Sequence, residues 1–228
     1  MEMEILDPIP IDLDAEAIRE ELHVKRTGAW DLFQSAFEIA KDSIAAKAAY
    51  VIQYVEARSD HGVMIGGVCF NSRVLRKNLE HVERVFPYAA TIGPGLEERA
   101  DQVNDLLEKY YLDAVGNIAL MQARKFLEET LRSRFALNGL SFMSPGSLKD
   151  WPIEEQRPLF SFLEGVDHSI GVRLTETCIM IPWKSVSGIY FPTGITFYNC
   201  QLCPRDRCVG RKAPYSSELA GTYGIGQH

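Results

Sequence analysis

Three of the five cysteines crowd into one short stretch, Cys200-Gln-Leu-Cys203-Pro-Arg-Asp-Arg-Cys208. Closely spaced thiolates can converge on one metal, and two residues between the first pair is a common ligand spacing for zinc or an iron–sulfur cluster. Three ligands are one short of closure, so Cys178 is the expected fourth, with Cys69 behind it. An iron–sulfur cluster would move electrons, and Arg205, Arg207, Arg211 and Lys212 beside it would favour an acidic redox partner. Zinc would instead staple the loop, and three reduced thiols without a metal are the plainest alternative. An odd cysteine count fits any of these better than a secreted disulfide framework.

A second concentration of signal lies upstream. It runs Ser144-Pro-Gly-Ser-Leu-Lys-Asp-Trp-Pro-Ile-Glu-Glu-Gln156, then Ile170-Gly-Val-Arg-Leu-Thr-Glu-Thr-Cys-Ile-Met-Ile-Pro182, then Lys184-Ser-Val-Ser-Gly-Ile-Tyr190. Each piece alone has a structural account: Ser144-Pro-Gly146 as a turn, Gly188 as relief of crowding between strands. Glu176 and Lys184 can be ligand contacts or a mutually paired, solvated strand face. Taken in order and at this spacing, the residues resemble the activation domain of vitamin B12-dependent methionine synthase. Ala89-Ala-Thr-Ile-Gly93 and Asp113-Ala-Val-Gly116 are similar to free-standing versions of that domain.

The resemblance implies a function. In that family the Ser-Pro-Gly turn, the Trp-Pro that follows it and the Pro-x-x-Ser-Val-Ser-Gly segment form a ledge where S-adenosylmethionine meets cobalamin. There, uphill reduction of cob(II)alamin is trapped by methylation. The implied role is an accessory to a corrinoid methyltransferase or its cobalamin-binding domain, with the partner supplying the cobalamin. The cofactor-contact positions it implies are Phe142, Gly146, Ser147, Glu176, Ser187, Gly188, Tyr190, Phe197 and Tyr198. Phe142 and Ser147 stand where the family carries Arg and Tyr. Losing an Arg–carboxylate contact worth roughly 1.5–3 kcal/mol should weaken that binding mode about tenfold or more. Arg134, Lys149 and Arg173 are the candidate replacements, whereas Phe197-Tyr198 keeps the family's aromatic pair. The rival reading is a metal-binding or iron–sulfur electron-transfer module of a corrinoid system that has discarded the methyl donor.

Those residues need a scaffold, and the chain is long enough to build one. It has 228 residues with 46% hydrophobic content, and the composition is that of a folded globular protein. A net charge of −7 argues against nucleic acid as partner. No apolar run reaches membrane-spanning length and the first residues are acidic, so a cytoplasmic location is expected. Apolar spacing predicts helices over 15–25 and 29–48, then strands at 50–55, 63–65, 85–86 and 89–93 with a helix near 72–83 between them. A helix should begin at Gly93-Pro-Gly and reach about Phe135 with a bend near Gly116, its core stripe being Leu96, Ala100, Val103, Leu107, Tyr110, Ala114, Ile118 and Met121. Asp150 should cap a helix that ends before Gly165, followed by strands at 172–177, 178–181, 186–191 and 195–198.

Helices and short strands without regular alternation indicate an α+β fold. The resemblance sharpens this to a twisted, mainly antiparallel sheet flanked by helices. The expected organisation is one domain over 1–215, with an N-terminal helical part (1–48), a cysteine-rich loop (199–211) and a loose tail (216–228).

Overall fold

One strand, Arg84–Thr91, is buried at every position from Val85 onward, and successive side chains serve opposite faces of the sheet. Burial on both faces requires layers on both sides. In the computed structural model, which describes residues 2–25, 27–194, 197–205, 207 and 211–224, the chain supplies them in this order: β1 (Glu4–Leu6), α1 (Ala15–Glu21), α2 (Thr27–Ser43), β2 (Lys47–Tyr50), β3 (Gln53–Arg58), β4 (Val63–Ile65), β5 (Val68–Phe70), α3 (Arg73–Asn78), β6 (Arg84–Thr91), α4 (Gly95–Ala100), α5 (Leu106–Arg134), β7 (Leu140–Met143), α6 (Gln156–Phe160), α7 (Val166–Ser169), β8 (Arg173–Leu174), β9 (Met180–Ile181), β10 (Ser185–Pro192) and α8 (Ser217–Thr222).

Eight strands form one sheet in which β6 is the hub. It pairs with β2 and β3 along one edge and with β10 along the other, while β10 pairs in turn with β7. Every described pairing is antiparallel, as the sequence implied for an α+β fold. Strands β8 and β9 make a separate small hairpin. On one face, Phe86, Tyr88, Ala90 and Tyr190 pack against α2 and α5. On the other, Val85, Met143, Ile189 and Phe191 meet Phe70, Leu75, Trp151 and Ala220. A fully buried Leu, Val or Phe contributes roughly 1.5–3 kcal/mol, so these two layers dominate the stability of the fold.

Several expectations are corrected. The first part is not helical through residue 48: β1 precedes the helices and β2 begins at Lys47, placing Ala48 and Tyr50 opposite Ala90 and Tyr88. The strand expected over 50–55 is two strands, and 85–86 with 89–93 is one. The long helix breaks after Ala100, not at Gly116, and restarts under the Asp105 cap, which accepts from Leu107 N (2.8 Å) and Glu108 N (3.0 Å). That restart rotates the buried face to Tyr111, Leu112, Val115, Ala119, Ala123, Leu127 and Leu131, leaving Leu107, Tyr110 and Met121 exposed. Gly116 lies within the unbroken α5, and a methyl there would come within 2.5 Å of Leu96 Cδ2; close packing of α4 explains the glycine. The tail is not loose through its described part, because α8 buries Ala220, Tyr223 donates to Asn78 Oδ1 (2.9 Å) and Lys77 Nζ donates to the Thr222 carbonyl (2.6 Å). Among the described residues no helix is long and apolar enough to cross a membrane.

Asp150 caps a distant helix instead of its own. Its carboxylate accepts from Ser72 Oγ (2.6 Å) and Val74 N (2.9 Å) at the start of α3, with Arg73 Nε at 3.4 Å, while the segment after it opens as a 3-10 turn, Ile153–Glu155. Asp150→Ala is expected to lower stability by about 1–3 kcal/mol, with a smaller loss for Asp150→Asn. Urea unfolding with an unchanged slope and a lower midpoint checks this.

Candidate functional site

The Ser144 turn and the Ser-Val-Ser-Gly strand, far apart in sequence, are pressed together. A methyl on Gly188 would lie 2.3 Å from the Met143 carbonyl oxygen and 2.7 Å from Ser144 Oγ, so only glycine allows β10 to pass under the end of β7. The turn beyond is held by Gly146 N donating to the Trp151 carbonyl (2.8 Å) and Ser147 N to the Ser144 carbonyl (3.2 Å). Gly146 adopts φ +82°, a left-handed conformation that suits glycine. Trp151 is fully buried beneath and packs edge-on against Phe70. Ser187 faces the other way and donates to Gln156 Oε1 (2.6 Å) at the start of α6.

On the α5 side, three aromatic rings from adjacent strands form a wall. Tyr88 and Tyr190 lie 4.6 Å apart between ring centroids, and Tyr190 and Phe142 5.7 Å. Burial pushes the Tyr190 hydroxyl well above its ordinary value, reinforced by Tyr88 and opposed by Arg124. Burial raises Tyr88 as well, with Arg124 and Ser144 opposing. The Tyr88 hydroxyl is enclosed yet finds no hydrogen-bond partner of good geometry among the described residues, although Ser144 is close enough to act on it. Tyr190 donates weakly to the Arg124 carbonyl at 3.4 Å.

Arg124, on α5, is a candidate site residue that the sequence did not single out. Its guanidinium carbon stands 4.2 Å from the Phe142 ring centroid, and Lys212 Nζ approaches the same ring at 6.0 Å. The replacements expected for the absent arginine go elsewhere: Arg134 pairs with Glu4 (2.8 Å) and Tyr50 Oη (2.9 Å), and Lys149 and Arg173 are exposed. A cation at one position of a long helix looks like any solvated charge, and only the register Phe142↔Tyr190 beneath it marks Arg124 out.

The remaining predicted positions divide. Phe197 is buried on the opposite face against Tyr223 (5.7 Å), its N–H donating to Ser141 Oγ (2.7 Å). Tyr198 is half-buried and caps the 3-10 turn Asn199–Leu202 through Gln201 (3.0 Å), so the described part of 195–198 is no strand. Glu176 is exposed in the β8–β9 turn and its carbonyl accepts from Arg157. Lys184 pairs with Asp113 (2.5 Å) and Asn117 (2.7 Å) of α5, not with Glu176; its backbone N–H donates to Glu97 (2.9 Å).

The cysteines do not assemble as expected. Cys200 lies within the 3-10 turn and Cys203 caps its end, Cys178 sits buried at φ +62° in the β8–β9 turn, and Cys69 is exposed on β5. Cys208 lies outside the described residues. Among the described residues no group of three or more His, Cys, Asp or Glu side chains could hold a metal, so Cys178 does not complete a ligand set with Cys200 and Cys203. Arg211 gathers the loop instead, donating to the carbonyls of Cys200 (3.1 Å), Cys203 (3.2 Å), Ala213 (3.2 Å) and Arg205. This also turns one of the four expected surface cations inward.

A hub strand clasped between two partners, a glycine-tight crossing under a Ser-Pro-Gly turn and flanking helices on both faces define an activation-domain-like fold. Residues 147–210 match the family model described as vitamin B12 dependent methionine synthase, activation domain, a stretch that begins at Ser147 and runs through the cysteine loop. Among solved structures, the chain is similar to one described as the MetH reactivation domain bound to AdoHcy, with a TM-score of 0.57 at 15% identity over 88% of this chain and 82% of that one. No curated protein sequence matches. The resemblance read from Ser144 to Tyr190 is thus borne out by an independent family model and by the fold.

Gly188→Ala should cost about 3 kcal/mol or more, because a backbone oxygen cannot yield as a side chain can. Gly28→Ala in α2, where a methyl meets nothing within 4 Å, should be neutral or stabilising by about 0.5–1 kcal/mol. Thermal unfolding compares the two. Tyr88 and Tyr190 stay neutral in the folded state above their ordinary 10.0, whereas the unfolded chain ionises near it. Their contribution to stability is therefore complete below pH 10.0 and is lost as pH climbs through the folded values. Alkaline titration of tyrosinate absorbance should show a late component that coincides with unfolding and diminishes in Tyr190→Phe.

Proposed function

We propose that this chain supports reductive reactivation of cobalamin carried by a corrinoid-dependent methyltransferase, with S-adenosylmethionine as methyl donor. The observation that carries the reading is a coincidence: the family match covers the same β8–β10 segment that packs under the Ser144 turn. The fold is similar to that of a domain solved with AdoHcy bound, which supports a ligand of that class here.

The residues present fit such a ligand. Phe142, the half-buried end of the Tyr88–Tyr190–Phe142 wall, offers a π face to a sulfonium or an adenine, and Arg124 beside it makes no ion pair with the described residues. S-adenosylmethionine would supply the methyl group, and the partner's cobalamin would receive it. The chain's own contribution is placement. Phe142, Gly146, Ser147, Gly188 and Tyr198 would border the ligand with Glu176 as the acidic group of the set, and the buried Ser187, Tyr190 and Phe197 would support them. Trp183, 77% exposed, and Ile179, 51%, leave apolar surface on this segment for the cobalamin-binding partner.

The test combines the protein with a methyltransferase carrying cob(II)alamin, a low-potential reductant and methyl-labelled S-adenosylmethionine. Labelled methylcobalamin should form only when this chain is present. Formation no greater than in its absence, with a partner that still turns over its normal methyl donor, refutes the proposal.

A further inference from the structure

Two cations from separate elements share one aromatic ring, neither within ion-pair distance of a described carboxylate. Arg124 reaches Phe142 from α5, and Lys212 reaches it from the segment after the cysteine loop, at 4.2 and 6.0 Å from the ring centroid. Neither side chain makes a hydrogen bond or ion pair with any described residue. Glu128, one helical turn beyond Arg124, is the acidic group that faces them, and it makes no ion pair with either. Burial, and after it the Arg124 charge, lower the Lys212 ammonium, with Glu128 and Cys200 opposing from a distance. Two cations on one ring favour a negative group that bonds to both, which Glu128 does not do. An aromatic face fixes a guanidinium while leaving its N–H edge free for a bidentate acceptor.

We infer that Arg124 and Lys212, arranged over Phe142, form an oxyanion-binding site. The acceptor is a carboxylate or a phosphate, two groups that match the guanidinium fork equally. On the proposed function, the carboxylate at the amino-acid end of S-adenosylmethionine is one source; a phosphate, such as a phosphodiester on the partner's corrinoid, is the other. The identification of a carboxylate rests on that reading, but the site itself does not.

Titration calorimetry with three probes separates the possibilities: AdoHcy, 5′-methylthioadenosine, which lacks the amino-acid end, and inorganic phosphate. The wild-type chain should bind AdoHcy about tenfold tighter than 5′-methylthioadenosine. Arg124→Met and Lys212→Met should erase that advantage without changing the affinity for 5′-methylthioadenosine, which also serves as the control for folding. If AdoHcy does not bind the wild-type protein at millimolar concentration, the methyl-donor reading fails and phosphate alone decides. Phosphate binding that weakens in both variants then upholds the site with phosphate as its ligand. Affinities for AdoHcy and phosphate that are the same in the wild-type and the Arg124→Met, Lys212→Met double variant overturn the inference.

Discussion

The contact between the Met143 carbonyl and the α-carbon of Gly188 sets the geometry of everything around it. A strand in the middle of a sheet normally projects a side chain at each position, and here one is missing so that β7 can end directly over β10. That approach brings the Ser144 turn down onto the sheet, buries Trp151 beneath it and puts Phe142 opposite Tyr190. The polar neighbours follow the same constraint. Ser187 turns to Gln156 on one face while Tyr190 turns to α5 on the other, so a single strand connects the ledge to both layers of the molecule.

The aromatic wall and the cations above it are electrostatically of a piece. Tyr88 and Tyr190, whose hydroxyls burial raises further above their ordinary 10.0, add no negative charge beside Arg124. A protonated phenol remains a donor, and a guanidinium over a neutral π face remains available to something outside the chain. Lys184 shows the contrasting arrangement, with its charge consumed by Asp113 and Asn117 to tie the start of β10 to α5. The chain thus separates cations that hold the scaffold from cations that it leaves open.

The fold class and the ledge were legible in the sequence because their residues are unusual in type: Gly188 in a strand, Gly146 at a left-handed turn, Trp151 followed by proline. What was not legible depends on contacts between distant segments. Asp150 looks like a local cap, and nothing nearby reveals that Ser72 and Val74 need its carboxylate more. Gly116 looks like a bend, since the Leu96 side chain that fills its place belongs to another helix. The stripe on α5 was misplaced because the break after Ala100 resets the helical phase, which no periodicity drawn through the break can follow. Arg124 was invisible for a related reason: its ring partner is a strand residue, and strand register is set by pairing across the sheet. The cysteines are the opposite case: their spacing is suggestive, yet among the described residues no three ligating side chains gather.

Arg211 binds four carbonyl oxygens of its own loop, a task that a metal ion performs in many small domains. A guanidinium cannot be chelated away, does not lose its proton under physiological conditions and has no redox chemistry of its own. The segment that presents Lys212 is therefore anchored by an organic cross-brace that neither a chelator nor mild acidity removes, while the Lys212 N–H leans on the Cys200 sulfur at 3.4 Å.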